Sequence, residues 1–433
     1  IVLEAGITPG PLVTASGIRV TGNEKTAPGF IHSRILLKPG DRFNLGLQQK
    51  SFRNLYQTGL FSKIDLYLEK QATGSERPLV AAVTEVPARE LYVEPGWGSY
   101  EQLRVKTGYR NKNLFGTGRI FGLDAAASLK AQGLTTYLSD PWFLGTDVKA
   151  DLPVAYSRRE EPVYTRRDME GALLFSKKLT RRLQASGGYA FRMTDVSDID
   201  PASITADAPT DYAYGEVKAQ ITWDSRDDLF YPTRGQKSFI AVEHADTLLG
   251  SDITLTRLTG GVRWFIPLPQ SVILGLRWRT GLIIPGSDDF NLPIAERFFT
   301  GGENTVRSFK QSELGPRDET GDPTGGLAFN VFNLELRRRL IGNLTGSVFF
   351  DCGNVSPNRT PAETGEPPYS SRSDILSDTF DQYFKDFRPG VGFGLQYQLP
   401  IGPARIDFGF NPDRDRKREE DSFVVHFSVG MAF

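Results

Sequence analysis

The residues able to do covalent or metal chemistry are sparse in this chain. Three histidines, His32, His244 and His426, lie far apart, and none has a cysteine or carboxylate at metal-ligand spacing. The single cysteine, Cys352, cannot make an internal disulfide; this leaves the compartment open, because an oxidising compartment permits disulfides without requiring them. Gly390-Val391-Gly392-Phe393-Gly394-Leu395 has the glycine density of a phosphate loop. It sits inside an alternating pattern with no helix after it, and its glycines are therefore read as inward-facing strand glycines. The run Asp413 to Asp421 mixes both signs, lacks aromatics and reads as a solvated loop. Balanced charge, 51 basic against 52 acidic residues, gives no electrostatic support for a nucleic-acid partner. No catalytic constellation emerges, so neither an enzyme nor a metal or cofactor is expected.

The elements that would position a site fall into two kinds. At 433 residues the chain suggests two or more units. Gly17 to Thr21 alternates like a strand and Gly22-Asn23 turns the chain. From Thr26 to Leu37, Phe30, Ile31, Ile35 and Leu36 sit at helical spacing. Asn44 is placed to cap a second helix carrying Leu47, Phe52, Leu55 and Tyr56, ended by Gly59. Ile64, Leu66 and Leu68 alternate, and Leu79 to Val86 reads as a further strand. The expected order is strand, helix, helix, strand, strand: a small α+β module over residues 13–88. Residues 1–12 read as a linker or the tail of a preceding module. Ile1 carries no leader behind it, so this end reads as processed or truncated.

From Arg89 the helical period disappears. Trp97, Leu103, Val105, Thr107 and Tyr109 alternate with Arg104, Lys106, Gly108 and Arg110. Val217 to Trp223, Val272 to Trp278 and Val391 to Tyr397 repeat the pattern. Phe423, Val425, Phe427, Val429, Met431 and Phe433 share one face of the last strand. No apolar run reaches the roughly 18 residues a membrane helix needs, but barrels signal by alternation. A soluble antiparallel sheet alternates too. Arg, Lys, Gln and Gly recur on the polar face, no covering helix is read, and long uncovered strands would leave open edges. These features favour a transmembrane antiparallel barrel of about sixteen strands over residues 89–433. Tight turns such as Leu248 to Ser251 and Leu399 to Gly402 contrast with long polar loops at 287–325 and 355–385.

Several motifs resemble one family. Gly301-Gly302-Glu303-Asn304-Thr305-Val306-Arg307-Ser308-Phe309 resembles the Val-Arg-Gly-Phe/Tyr loop of the BamA/TamA superfamily of outer-membrane assembly and translocation barrels. Asp224 to Asp227 with Tyr231 to Gly235 resembles its mid-barrel turn. Asn333 to Leu336, Phe349 to Val355 and Ile401 to Arg405 resemble its C-terminal strands in order, and the N-terminal module resembles a POTRA domain. The resemblance implies that Arg307, flanked by Val306 and Phe309, folds into the lumen and pairs with Glu335 and Asp351. Strand parity independently turns both acids inward, since Phe332, Leu334 and Leu336, and Val348, Phe350 and Cys352, take the outer face. Two departures stand out. Ser308 replaces the usual glycine, which questions the geometry of the loop tip, and one POTRA module is read where relatives carry several.

The function implied is insertion of β-barrel proteins into a bacterial outer membrane, with the N-terminal module in the periplasm. The first strand, near Glu90 to Gly98, would close on the last, near Ser422 to Phe433. Pro95, Gly96 and Gly98 weaken that ladder, and Trp97, Phe427, Gly430 and Phe433 lie along it. Such a seam would open sideways to unfolded outer-membrane protein clients, with outer-membrane lipids and periplasmic or lipoprotein accessory subunits as further partners. The alternative is a two-partner-secretion pore that passes one protein through the lumen. A passive porin explains neither the loop motif nor the module.

Overall fold

The computed structural model describes residues 12–69, 74–199, 208–286, 292–318, 320–357, 371–399 and 402–430. The expected 1–12 segment, the Pro400-Ile401 turn, Met431 and Phe433 lie outside these, apart from Leu12. The N-terminal order is β1 (Thr14–Thr21), α1 (Pro28–Arg34), α2 (Leu45–Tyr56), β2 (Phe61–Leu68) and β3 (Glu76–Glu85). β3 is central, parallel to β1 and antiparallel to β2. Asn44 caps α2, its side chain accepting from Gly46 N and Leu47 N at 2.8 and 3.2 Å. Gly59 leaves the helix with φ +66°. α1 stops at Arg34, three residues short of the expected end, because Ile35 turns extended. Ile31, Leu37, Leu55 and Leu79 are fully buried between helices and sheet, each contributing about 1.5–3 kcal/mol.

Chain contacts divide the molecule into two compact units. The first contains Ile1–Tyr92, Tyr109–Leu123 and Tyr137–Asp147. Within it Asn113 Nδ2 donates to Thr26 Oγ1 at 2.9 Å, and Arg34 lies over the Trp142 ring. The second unit contains the remaining strand segments and everything from Val148.

Sixteen strands close into a barrel. They are β4 (Arg89–Gly98), β5 (Gln102–Leu114), β6 (Arg119–Ser128), β7 (Ala131–Asp140), β8 (Val148–Glu161), β9 (Tyr164–Lys178), β10 (Leu183–Ser197) and β11 (Asp211–Asp224). β12 (Gly235–Ala245), β13 (Leu255–Leu268), β14 (Val272–Pro285), β15 (Ala328–Ile341), β16 (Leu344–Ser356), β17 (Arg388–Leu399), β18 (Gly402–Phe410) and β19 (Phe423–Val429) complete it. Val391, Phe393, Leu395 and Tyr397 are each more than 40% exposed, and Leu334, Val348 and Phe350 are 40–54% exposed. Apolar exposure on one parity of strand after strand is what a bilayer-facing wall requires. No described helix is long and apolar enough to cross a membrane; the crossing is made by strands.

Among the described residues the barrel half holds one α-helix that periodicity missed, α3 (Arg372–Asp381), in the long loop after β16. The segment that follows it covers two polar side chains on the outward parity. Asn330 Nδ2 donates to Tyr383 O at 2.8 Å, and Asn354 Nδ2 donates to Lys385 O at 2.7 Å. Without that cover, two amides would face lipid unsatisfied. The β11–β12 turn is organised by Asp227, which accepts from Thr233 and Arg234 backbone N–H groups at 2.9 and 3.2 Å. The Thr233 hydroxyl is the chief cause holding its carboxyl down at about 2. A depressed carboxylate stabilises above its unfolded pKa and loses that contribution as pH falls towards the folded value. Amide protection at Thr233 and Arg234 is therefore expected to hold at pH 5 and fade between about pH 4 and 2, and Asp227→Asn should remove that pH step.

Candidate functional site

The long loop between β14 and β15 doubles back into the barrel, and Arg307 at its tip is 4% exposed. Its guanidinium grips Asp351 of β16 through both arms, Nε to Oδ2 at 2.7 Å and Nη2 to Oδ1 at 2.8 Å. Arg307 N–H adds a bond to Asp351 Oδ2 at 3.1 Å. Nη1 reaches Glu335 of β15 at 2.8 Å. The guanidinium carbon lies 3.4 Å from the centre of the Phe349 ring, so the cation is sandwiched between carboxylates and an aromatic face. Sequence parity turned both acids inward, and the structure brings all three predicted residues together.

The cluster extends further than the sequence reading. Arg405 of β18 bonds Glu335 at 3.0 Å and Asp407 at 2.5 Å. Asn333 Nδ2 donates both to Asp351 and to Thr305 O, at 2.8 and 2.7 Å. Val306 and Phe309 are 0% and 1% exposed and pack with Leu314, Phe329, Val331 and Val355. The tip rests on a floor of three glycines, Gly353, Gly390 and Gly409, of which only Gly390 was read as inward-facing from sequence. A Cβ on Gly353 would lie 2.8 Å from Val306, one on Gly390 2.3 Å from Ser308 Oγ, and one on Gly409 2.1 Å from Arg307 O. Gly390 belongs to the run first weighed as a phosphate loop; its inward parity was legible, but what it faced was not. Ser308 is accommodated because Gly390 leaves room for its hydroxyl, and its backbone avoids the left-handed region that would demand glycine.

We expect Gly409→Ala to lift the tip from this floor, at a cost of about 1–3 kcal/mol of loop docking for an overpacked contact. Faster protease cleavage within residues 301–312, with the folded barrel retained, is the measurement; an unchanged cleavage rate rejects the account.

A second anchor, missed in sequence, holds the root of the same loop. Glu296 is 2% exposed. It accepts from Arg192 Nη2 at 2.6 Å, Arg257 Nη2 at 2.8 Å, Arg166 Nη2 at 3.2 Å and the Tyr212 hydroxyl at 2.9 Å. One carboxylate thus ties the loop to β9, β10, β11 and β13. The only sequence signal was a lone acid in the apolar stretch before Phe298-Phe299, with its partners scattered over four strands.

The seam is the other predicted feature. Among the described residues β4 and β19 share two residue pairs, Ser428 with Gly98 and Val429 with Trp97. The β18–β19 ladder, by contrast, runs the full length from Ala404–Val429 to Phe410–Phe423. β4 ends at Gly98, so Phe423 to His426 run beyond it with no β4 partner among the described residues. At that boundary Ser99 Oγ bonds Phe427 N and O, at 2.6 and 3.2 Å. A Cβ on Gly96 would lie 2.9 Å from Val429 O, and Arg104 Nη2 donates to that same carbonyl at 3.3 Å. Of the strand expected to reach Phe433, the described residues form β19 to Val429, and Gly430 follows with φ +80°, its N–H donating to Pro403 O at 3.0 Å; Met431 to Phe433 lie outside the described residues. The tip and the last strand touch, since His426 Nε2 lies 3.1 Å from Arg307 O.

With this geometry established, similarity to known proteins becomes informative. The model of the Omp85 superfamily domain matches residues 113–433. The outer membrane protein assembly factor BamA of Nitratidesulfovibrio vulgaris is 24% identical, covering 96% of this chain and 51% of the relative. BamA of Neisseria meningitidis is 23% identical, covering 99% and 57%. The chain thus spans about half the length of the curated relatives it matches. The fold resembles the crystal structure of BamA from Haemophilus ducreyi lacking POTRA domains 1-3, with TM-score 0.83, 17% identity and 97% and 84% of the two chains covered. CdiB from Acinetobacter baumannii is more distant, with TM-score 0.55, 14% identity and 96% and 73% covered.

Proposed function

The chain belongs to the Omp85 superfamily, as a barrel of BamA/TamA type in the bacterial outer membrane, and from that premise we propose that it accelerates the folding and membrane insertion of other β-barrel proteins through its lateral seam. The observation that carries this is the seam itself: two ladder pairs among the described residues, and beyond them a strand edge from Phe423 to His426 open to pairing. An intramolecular backbone hydrogen bond contributes only about 0.5–1.5 kcal/mol net in water. Two pairs can therefore part while the other ladders hold, and a client strand can extend the exposed edge by β-augmentation. Client backbone satisfaction in lipid supplies the driving force, so no cofactor and no covalent chemistry is required. Arg307, Glu335 and Asp351 act as the latch that seats the loop, with Val306 and Phe309 as its apolar part.

We assign residues 13–88 as a POTRA domain in the periplasm, with the barrel over 89–433. The outer edge of β2 lies beside α2, and the two line a groove of about 950 Å³ that includes Leu45, Phe52, Ile64, Leu66 and Tyr67. This edge supports capture of an extended, apolar client strand, with outer-membrane lipids and accessory subunits as further partners. Phe52 is 39% exposed and lies outside the buried cluster between helices and sheet. Phe52→Glu is expected to cut crosslinking of an unfolded client to this domain several-fold without shifting its thermal midpoint; full crosslinking with that variant defeats the assignment.

The direct test of function is reconstitution in liposomes with an unfolded barrel client. Client folding should run faster than in protein-free liposomes. Equal rates overturn the proposal, and passage of a soluble partner into the lumen side of the vesicle would favour a secretion pore instead.

A further inference from the structure

Most lumen arginines of this barrel are neutralised. Arg166, Arg192 and Arg257 converge on Glu296, and Arg307 and Arg405 on Glu335, Asp351 and Asp407. Arg263 of β13, Arg277 of β14 and Arg337 of β15 are different. All three lie on the inward parity, flanked by outward Trp264, Trp278 and Leu336. Arg263 stands directly opposite Arg277 in the ladder. Among the described residues none of the three makes an ion pair. Arg277 Nη1 donates to Asn304 O at 2.8 Å, while its Nε is buried without a partner. Arg337 is held by Pro232 O and stacks on the Phe265 ring at 5.1 Å. Like charges directly opposed across strands are destabilising, and more so away from bulk water.

These side chains line one lumen cavity of about 310 Å³, roofed by Asn304 and Thr305 of the loop tip. Its carboxylates, Glu303 and Glu335, are outnumbered by its arginines. We propose that Arg263, Arg277 and Arg337 form a binding site for a phosphate-class oxyanion. The guanidinium fork matches the oxygens of a tetrahedral phosphate two at a time, and an anion here supplies the counter-charge that no described carboxylate provides to these three side chains at ion-pair distance. The volume fits one phosphate group with a small organic body, not a folded segment. The occupant would touch the underside of the loop tip through Arg277, whose other bond is to the Asn304 carbonyl.

The test is calorimetric titration of the full chain, in zwitterionic detergent at constant ionic strength, with inorganic phosphate. Saturable uptake near one ion per barrel is expected. The double variant Arg263→Gln with Arg277→Gln should weaken it at least tenfold. Arg263→Glu gives Arg277 a carboxylate opposite, so it should abolish uptake while raising the thermal midpoint in phosphate-free buffer; this variant separates a lost site from a lost fold. Glycerol phosphate run alongside distinguishes sources: tighter uptake than phosphate assigns the site to a phosphorylated headgroup or sugar, weaker uptake to the free ion. No saturable uptake, uptake unchanged in the variants, equal uptake of chloride, or binding of an acidic peptide in place of phosphate each overturns the proposal. The readout is binding alone and is independent of the insertion assay.

Discussion

Joining β4 to β19 through a disulfide between Gly98→Cys and Ser428→Cys, in a Cys352→Ser background, is expected to reduce client insertion to the level of protein-free liposomes, a fall of at least tenfold. Reduction of the bond should restore it. The positions are chosen by register, since Gly98 and Ser428 face each other in the only ladder the two strands share among the described residues. A Cβ on Gly98 meets Arg104 Nη1 at 3.5 Å and Glu303 Oε1 at 3.9 Å, ordinary contact distances, so the cysteine fits without displacing the lumen wall. Relative ladder strength selects this place for the lock. Every other interstrand ladder from β8 to β19 is extended, whereas among the described residues the seam has two pairs. Thermal opening therefore concentrates at one place, and a covalent bond there removes it while leaving the barrel otherwise unchanged. If the oxidised protein inserts clients at the reduced protein's rate, the seam is not the route and passage through the lumen becomes the better account.

The two halves of this mechanism differed in how far they could be read from residues. Strand parity has a period of two, so Glu335 and Asp351 could be turned inward from their neighbours alone. The same logic placed Phe423, Val425 and Phe427 on the lipid face, and the structure leaves them 54%, 39% and 40% exposed. What parity cannot supply is which inward residue meets which across the lumen. Glu296 finds partners on four strands, a convergence set by the stagger of barrel closure and the path of a long loop. The glycine floor was invisible for the same reason: Gly353, Gly390 and Gly409 lie on three strands, and their spacing in sequence carries no trace of the loop that rests on them. α3 escaped because its ten residues carry little apolar periodicity, being fixed instead by the Ser371 cap and by Thr379, which is fully buried. For the seam, the residues alone support an expectation and no more. Pro95, Gly96 and Gly98 announced a weak ladder, but the end of β4 at Gly98 and the bend at Gly430 are properties of the folded register.

Arg307→Ala is expected to release the loop tip and to lower client insertion by about tenfold or more while the barrel remains folded. Removing one partner of a buried, hydrogen-bonded ion cluster costs about 3–5 kcal/mol, because the charges left behind are stranded. Here the stranded groups are Asp351, 0% exposed, and Glu335, which keeps Arg405. A shift of that size is two to three orders of magnitude or more in the docking equilibrium, of the same order as the burial of Val306 and Phe309 contributes, so most of the tip's docking energy is removed. The barrel survives because its ladders do not depend on the tip, and the loop root survives because Glu296 holds it through three arginines. Insertion suffers because Arg307 O meets His426 on β19, so an undocked tip withdraws support from the strand that forms one side of the seam. Arg307→Lys should fall between: it keeps the charge but loses the two-armed grip on Asp351 and the stack on Phe349. Limited proteolysis within residues 301–312, heat-modifiable migration of the barrel and client insertion rate are read together. Ala and wild type sharing one cleavage rate would show that the loop is held by its apolar contacts alone, and a variant that loses the barrel along with the loop would show that the cluster serves folding and not the seam.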